Sequence, residues 1–179
     1  MNLCLNAPKQ DPQRQSFIRA MRNVANSVAV VTTNGPAGQH GATVSAFSSV
    51  SADPPTTLVC LRMESRIARA VMQNKVFCVN VLPQSGQRIA ERFAGRDDDQ
   101  CNNRFDGIDC HGAPGSAPIL SGATAFYCTV EQVVTSGSHQ IFIGNVVDLQ
   151  EGGSAPLTYV SGAYHRIASQ NTTSDEALI

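Results

Sequence analysis

Residues Ala123–Leu149 read ATAFYCTVEQVVTSGSHQIFIGNVVDL. Two runs rich in β-branched and aromatic residues, Ala123–Thr135 and His139–Leu149, are separated only by Ser136-Gly137-Ser138. That is the pattern of two long strands folded back on each other around a tight corner. The same reading works outward in both directions. Val28–Thr33 is a strand buried on both faces or nearly so, Asn34-Gly35-Pro36 is turn chemistry, and the chain returns at Gly41. Thr56–Leu61 and Val76–Leu82 are further strands, and Leu157-Thr158-Tyr159 with Ala163–Arg166 closes the set. Helices are few. Asp11-Pro12 caps one over Pro12–Ala25, with Phe17, Met21, Val24 and Ala25 on one face. Ser65 opens a second that runs to Asn74, and a third spans Ser85–Ala94 before Gly95. Many strands in hairpin spacing with few helices predict a mainly β barrel or sandwich with peripheral α-helices.

The glycines of Gly35-Pro36-Ala37-Gly38-Gln39-His40-Gly41 have suggestive spacing for a dinucleotide fingerprint. No helix follows them, so that reading fails its structural requirement. Gly95–Gly122 is polar, Gly/Pro-rich and aperiodic, the kind of long loop that is functional or mobile.

At 179 residues, with 42% apolar and 15% charged residues, the chain is expected to fold as one domain. Its boundaries are set at 16–168, between an N-terminal tail, 1–15, and a polar, disordered tail, 169–179. With 13 Lys+Arg against 14 Asp+Glu, nothing points to nucleic acid or an anionic membrane. No apolar run is long enough for a bilayer, and the N-terminus lacks a secretion-signal layout, so a cytoplasmic protein is expected. Cys60, Cys78 and Cys128 lie in apolar strands as small hydrophobes. Cys101 and Cys110-His111 lack partner ligands at usable spacing, and no metal site is expected.

The segment Gly41–Pro55, GATVSAFSSVSADPP, opens as a strand and becomes a run of small hydroxyl residues. Small side chains let backbone approach a flat ligand, and Ser and Thr donate and accept at once. The alternative is a half-exposed edge strand. Ser65-Arg66 at a helix start suits a phosphate, through free N–H groups and a planar guanidinium. The alternative is an N-cap beside a solvated Arg.

The wording of these segments resembles the short-chain NAD(P)H:flavin oxidoreductases, which feed reduced flavin to two-component monooxygenases. Seven landmarks stand in the family's order between Phe17 and Arg166. They are Ser27–Thr33, Gly41–Pro55, Ser65-Arg66, Phe77–Leu82, Arg92-Phe93-Ala94-Gly95 with Arg104-Phe105, Gly137-Ser138-His139 with Gly144 and Val146, and Pro156–Tyr159 with Gly162–Tyr164. The resemblance implies a split β-barrel of the Greek-key, FMN-binding type, a homodimer with flavin near the interface, and hydride transfer from NADH, or NADPH, to FAD or FMN. FAD is the first choice of flavin. A separate flavin-dependent monooxygenase acting on an aromatic substrate is the implied partner.

Carried over residue by residue, the resemblance assigns Thr43, Val44, Ser45 and Ala46 to the flavin ring, followed by Ser48 and Ser49. Ser65 and Arg66 go to the flavin phosphate. Ser27, Val28, Phe93, Ala94, Arg104, Gly137, Ser138 and Tyr164 are further cofactor contacts, although Phe93 and Tyr164 also suit plain packing. His139 is placed near the nicotinamide as a positioning group; the alternative is a turn-flanking histidine. A direct transfer between two stacked cofactors needs no covalent nucleophile. The Asp97-Asp98-Asp99 run and the cysteines of the 95–117 loop depart from the family pattern. Two other functions fit the same fold: a non-catalytic flavin-binding redox module, and a reductase of another substrate such as a corrinoid.

Overall fold

A computed structural model describes residues 11–101, 103–113 and 115–168. The expectations for the two tails fall largely outside them. In chain order the elements are α1 (Pro12–Arg22), β1 (Asn26–Ser27), β2 (Ala29–Thr33), β3 (His40–Val44), β4 (Phe47–Ala52), β5 (Pro55–Arg62), α2 (Arg66–Asn74) and β6 (Val76–Val81). Then follow α3 (Gln87–Phe93), β7 (Cys110–His111), β8 (Ile119–Leu120), β9 (Thr124–Ser136), β10 (His139–Gln150), β11 (Thr158–Val160) and β12 (Ala163–His165).

Seven strands form one antiparallel sheet in the order β3-β2-β6-β9-β10-β5-β4. Laid flat, six inter-strand steps would hold its edges roughly 29 Å apart. Yet the two edge strands, β3 and β4, are joined by Ser45-Ala46 alone, a link that reaches at most about 11 Å. The sheet is therefore rolled until its edges approach, which is the mainly β, barrel-like architecture expected. The Cys60 N–H donates to the Ala46 carbonyl at 3.0 Å and ties the link to β5.

The roll explains the unbroken apolar run in β2, every residue of which is buried. Ala29 and Val31 point inward with Val59, Phe77, Val79, Cys128 and Phe142, and α2 plugs this core with Ile67, Ala68 and Val71. Val28 and Val30 point outward into a second cluster with Leu82, Ala90, Phe93, Phe105 and Leu120, so α3 and the 95–122 segment cover that face. Among the described residues the buried polar side-chain atoms all find partners. The Asn80 amide donates to the Val30 carbonyl and the Thr32 hydroxyl, both at 3.2 Å, and its oxygen accepts from the Leu120 N–H at 2.8 Å. Asn74 holds the β2–β3 turn: its amide donates to Gly38 O at 3.1 Å, and its oxygen accepts from Ala37 N–H at 2.8 Å.

Three expectations change. The first helix stops at Arg22, three residues before Ala25, and buries none of its side chains. Gly41–Pro55 holds most of β3 and all of β4, on opposite sheet edges, before β5 begins at Pro55, because the chain bends at Ser45-Ala46. The 95–122 segment is not wholly aperiodic, since Cys110–His111 pairs with Ile119–Leu120. A small third sheet, β1-β11-β12, closes the fold. The five described cysteines are free. Among the described residues no helix is long and apolar enough to cross a membrane, and no group of three metal-ligating side chains gathers.

Candidate functional site

The N-terminal end of β3, the start of α2 and the segment after α3 converge on one cavity of about 860 Å³. Gln39, His40, Gly41 and Ala42 supply one wall, Glu64, Ser65, Arg66 and Ile67 the second, and Asp98, Cys101, Asn103, Arg104 and Phe105 the third.

The second wall follows directly from the sequence. Ser65 caps α2: its hydroxyl accepts from the Ala68 N–H at 3.2 Å and donates to the Arg62 carbonyl at 2.6 Å. The first turn of a helix leaves N–H groups without intrahelical partners. Ser65, Arg66 and Ile67 of that turn line the cavity, so the partial positive charge of the helix start and the full charge of Arg66 belong to one wall. The second wall also adjoins the β9–β10 corner. The Met63 N–H donates to Ser138 O at 3.0 Å, and His139 pairs across the sheet with Arg62. Gly137, Ser138 and His139 therefore sit beside the Glu64–Arg66 wall, with His139 exposed and its Nδ1 3.0 Å from the Ser138 hydroxyl.

The first wall depends on Gly41. A Cβ there would lie 2.5 Å from Phe93 Cε1 and 3.1 Å from Phe105 Cζ, so the strand rests directly on the two rings. Phe93 is fully buried and meets Phe105 edge-on, with centroids 4.9 Å apart. It forms the bed under the wall, as its alternative packing role anticipated. Ala94 caps the end of α3.

Arg104 ties the walls together. Its Nη1 donates to Phe93 O at 2.8 Å and to Gly41 O at 3.3 Å. Its Nε and Nη2 donate to the two oxygens of Asp98 at 2.8 and 2.6 Å. The bonds from Arg104 hold the Asp98 carboxyl below its ordinary range, with a lesser contribution from Arg66. Arg92 braces the same segment from outside the cavity lining, donating to the carbonyls of Arg104 and Asp106 at 2.9 and 2.7 Å and to Cys101 Sγ at 2.9 Å.

Of the residues expected in the site, Ser65, Arg66 and Arg104 meet in the cavity, and the Gly137–His139 corner adjoins it. Thr43 and Val44 end β3 and Ser45-Ala46 link it to β4, all four outside the cavity lining. The Thr43 hydroxyl donates to Ala90 O at 2.7 Å, and Val44 packs on the barrel core. Ser48 and Ser49 lie exposed on edge strand β4. Ser27, the buried Val28 and Tyr164 belong to the β1-β11-β12 side, outside the cavity lining. There Tyr164 packs edge-on against Tyr159 at 5.1 Å. Asp98, Cys101 and Asn103 were not anticipated; they come from an irregular segment whose folding no periodicity encodes. His40 and Gly41 had a signal, a glycine in a strand, which marks close approach of another group.

Residues 21–168 match the flavin reductase like domain family. The chain belongs to that family. An FMN reductase (NADH) RutF of Ancylobacter novellus is 40% identical over 157 residues, covering 87% of this chain and 86% of that protein. The reductase component of a 4-hydroxyphenylacetate 3-monooxygenase from Pseudomonas aeruginosa is 33% identical over 160 residues, covering 88% and 94%. Among solved structures, the NADH:FAD oxidoreductase SgcE6 of Streptomyces globisporus C-1027, in complex with NAD and FAD fragments, superposes with a TM-score of 0.81 at 27% identity, covering 90% of this chain and 97% of that one. A helix N-terminus and Arg66 on one cavity wall are donors of the kind a phosphate group takes.

Proposed function

We propose that the chain is an NADH-dependent flavin reductase that takes FMN or FAD into the β3–α2 cavity and delivers the reduced flavin to a separate flavin-dependent monooxygenase. The observation that carries the reading is the meeting of Ser65, Arg66 and the first turn of α2 with the strand that runs into Thr43-Val44-Ser45-Ala46. Bound flavin would supply the hydride-accepting ring. The protein's own work is to hold the phosphate with Arg66 and the α2 N–H groups, and to lay β3 backbone along the ring. His139, at the neighbouring corner, positions the nicotinamide.

The same reading includes a cytoplasmic homodimer. In α1 and just after it, Phe17, Ile18, Met21 and Val24 are 65%, 39%, 45% and 45% exposed, an apolar stripe without cover among the described residues. Among the described residues strand β4 is paired on one side only. Both features suit cover by a second copy.

Anaerobic mixing of the protein with NADH and excess FMN or FAD tests the activity. Bleaching of the flavin at a rate proportional to enzyme supports the reductase. Flavin that binds but stays oxidised would leave a non-catalytic binding module.

A further inference from the structure

Arg104 presents two different edges. One corner, Nη1, is anchored to the Gly41 and Phe93 carbonyls and fixes the guanidinium plane. The other edge, Nε with Nη2, is taken bidentately by Asp98. A phosphate group uses that same paired-donor edge of an arginine. Asp98, Arg104 and Arg66 all line the cavity. The Asp98 side chain is half exposed, while that of Arg104 is 31% exposed, so the carboxylate is the freer partner. The backbone is shaped around the pair. Gly95 has φ +93°, and a Cβ there would lie 2.9 Å from Arg104 Nη2 and 3.0 Å from Asp98 Oδ2.

We propose that Asp98 is a built-in competitor for the flavin phosphate at Arg104: the carboxylate occupies the edge the phosphate takes, and so weakens the hold on flavin. The proposal rests on the flavin reading of the cavity. The hydrogen bonds from Arg104, and to a lesser degree the Arg66 charge, hold the Asp98 carboxyl below its ordinary range, so it meets the guanidinium as a carboxylate. On binding, the carboxylate swings into solvent while Nη1 keeps its two backbone anchors. A reductase that must give up its product gains from such a partner, because the carboxylate can return to Arg104 as the phosphate leaves.

The test compares FMN with riboflavin, which has the same ring and no phosphate, by equilibrium binding read from flavin fluorescence. Asp98→Asn and Asp98→Ala are expected to raise the ratio of FMN to riboflavin affinity about two- to fivefold, the range for a partly exposed ion pair. Dissociation of FMN slows in parallel. A purely structural strap would move both ligands together and leave the ratio unchanged. An unchanged or lowered ratio in the folded variants therefore overturns the competitor role, as does loss of folding in both. Failure of the wild-type chain to bind FMN is a different result, and it overturns the flavin reading itself.

Discussion

Gly41→Ala places one methyl group where the structure has no room. The new Cβ would lie 2.5 and 2.7 Å from Phe93 Cε1 and Cδ1 and 3.1 Å from Phe105 Cζ, against a normal carbon–carbon contact of about 3.5–4.0 Å. At least 1 Å of relief is needed (about 3.5 less 2.5 Å). Phe93 cannot supply it cheaply, being fully buried and braced edge-on by Phe105. Overpacking of this kind costs about 1–3 kcal/mol, or a melting temperature lower by roughly 2–12 °C for a chain of this size. The strain also moves the Gly41 carbonyl and Phe93, the two anchors of Arg104, so flavin affinity falls with stability. Gly144→Ala is the matched control. Its Cβ would lie 2.6 Å from Phe77 Cζ and 2.9 Å from Cys128 Cβ, inside the barrel and away from the cavity lining. Differential scanning fluorimetry and FMN titration on both variants separate the two effects. Both should melt early, and only Gly41→Ala should lose FMN affinity beyond what partial unfolding explains. A Gly41→Ala protein as stable as wild type, or a Gly144→Ala protein with the same specific loss of affinity, would refute the reasoning.

Asn80→Leu leaves the buried Leu120 N–H without its acceptor and should lower the melting temperature by roughly 2–12 °C, read by calorimetry. Phe17→Glu with Met21→Glu puts two charges on the exposed stripe of α1. Light scattering after size exclusion should show a dimer for the wild type and a monomer for the double variant. Burial, reinforced by Cys128, pushes the Cys78 thiol from 9.0 up to about 12. Its contribution to stability is therefore whole below pH 9.0 and is lost as pH rises toward about 12, because the unfolded chain ionises first. Melting curves from pH 8 upward should fall more steeply for the wild type than for Cys78→Ala, and parallel curves would contradict the assignment.

The barrel was legible because its signals are local. The Ser136-Gly137-Ser138 corner, the β-branched run Val28–Thr33 and the Ser65 cap each follow from neighbouring residues, and each stands within one residue of where the sequence placed it. The bend at Ser45-Ala46 was not legible. Nothing in GATVSAFSSVS says that the two halves lie on opposite edges of one sheet; that follows only when the sheet rolls. The cavity divides in the same way. Ser65 and Arg66 were found from helix-start chemistry, whereas the bidentate Arg104–Asp98 pair is closed by the irregular turn at Gly95. Phe17 and Met21 of the expected apolar face lie on α1, whereas Val24 and Ala25 fall beyond its end at Arg22, and among the described residues nothing covers it. Hydrophobic periodicity reports that a face is to be covered, not by what.

The most direct measurement is the initial rate of NADH oxidation as a function of FMN concentration for the wild type and Arg66→Ala. The account predicts saturation with free flavin for the wild type. For Arg66→Ala it predicts a flavin KM raised about tenfold, as expected for a lost charge-assisted phosphate contact, while FMN-saturated kcat stays within about twofold. Equal flavin KM values for the two proteins would place the phosphate elsewhere. No flavin-dependent NADH oxidation by the wild type would contradict the central claim.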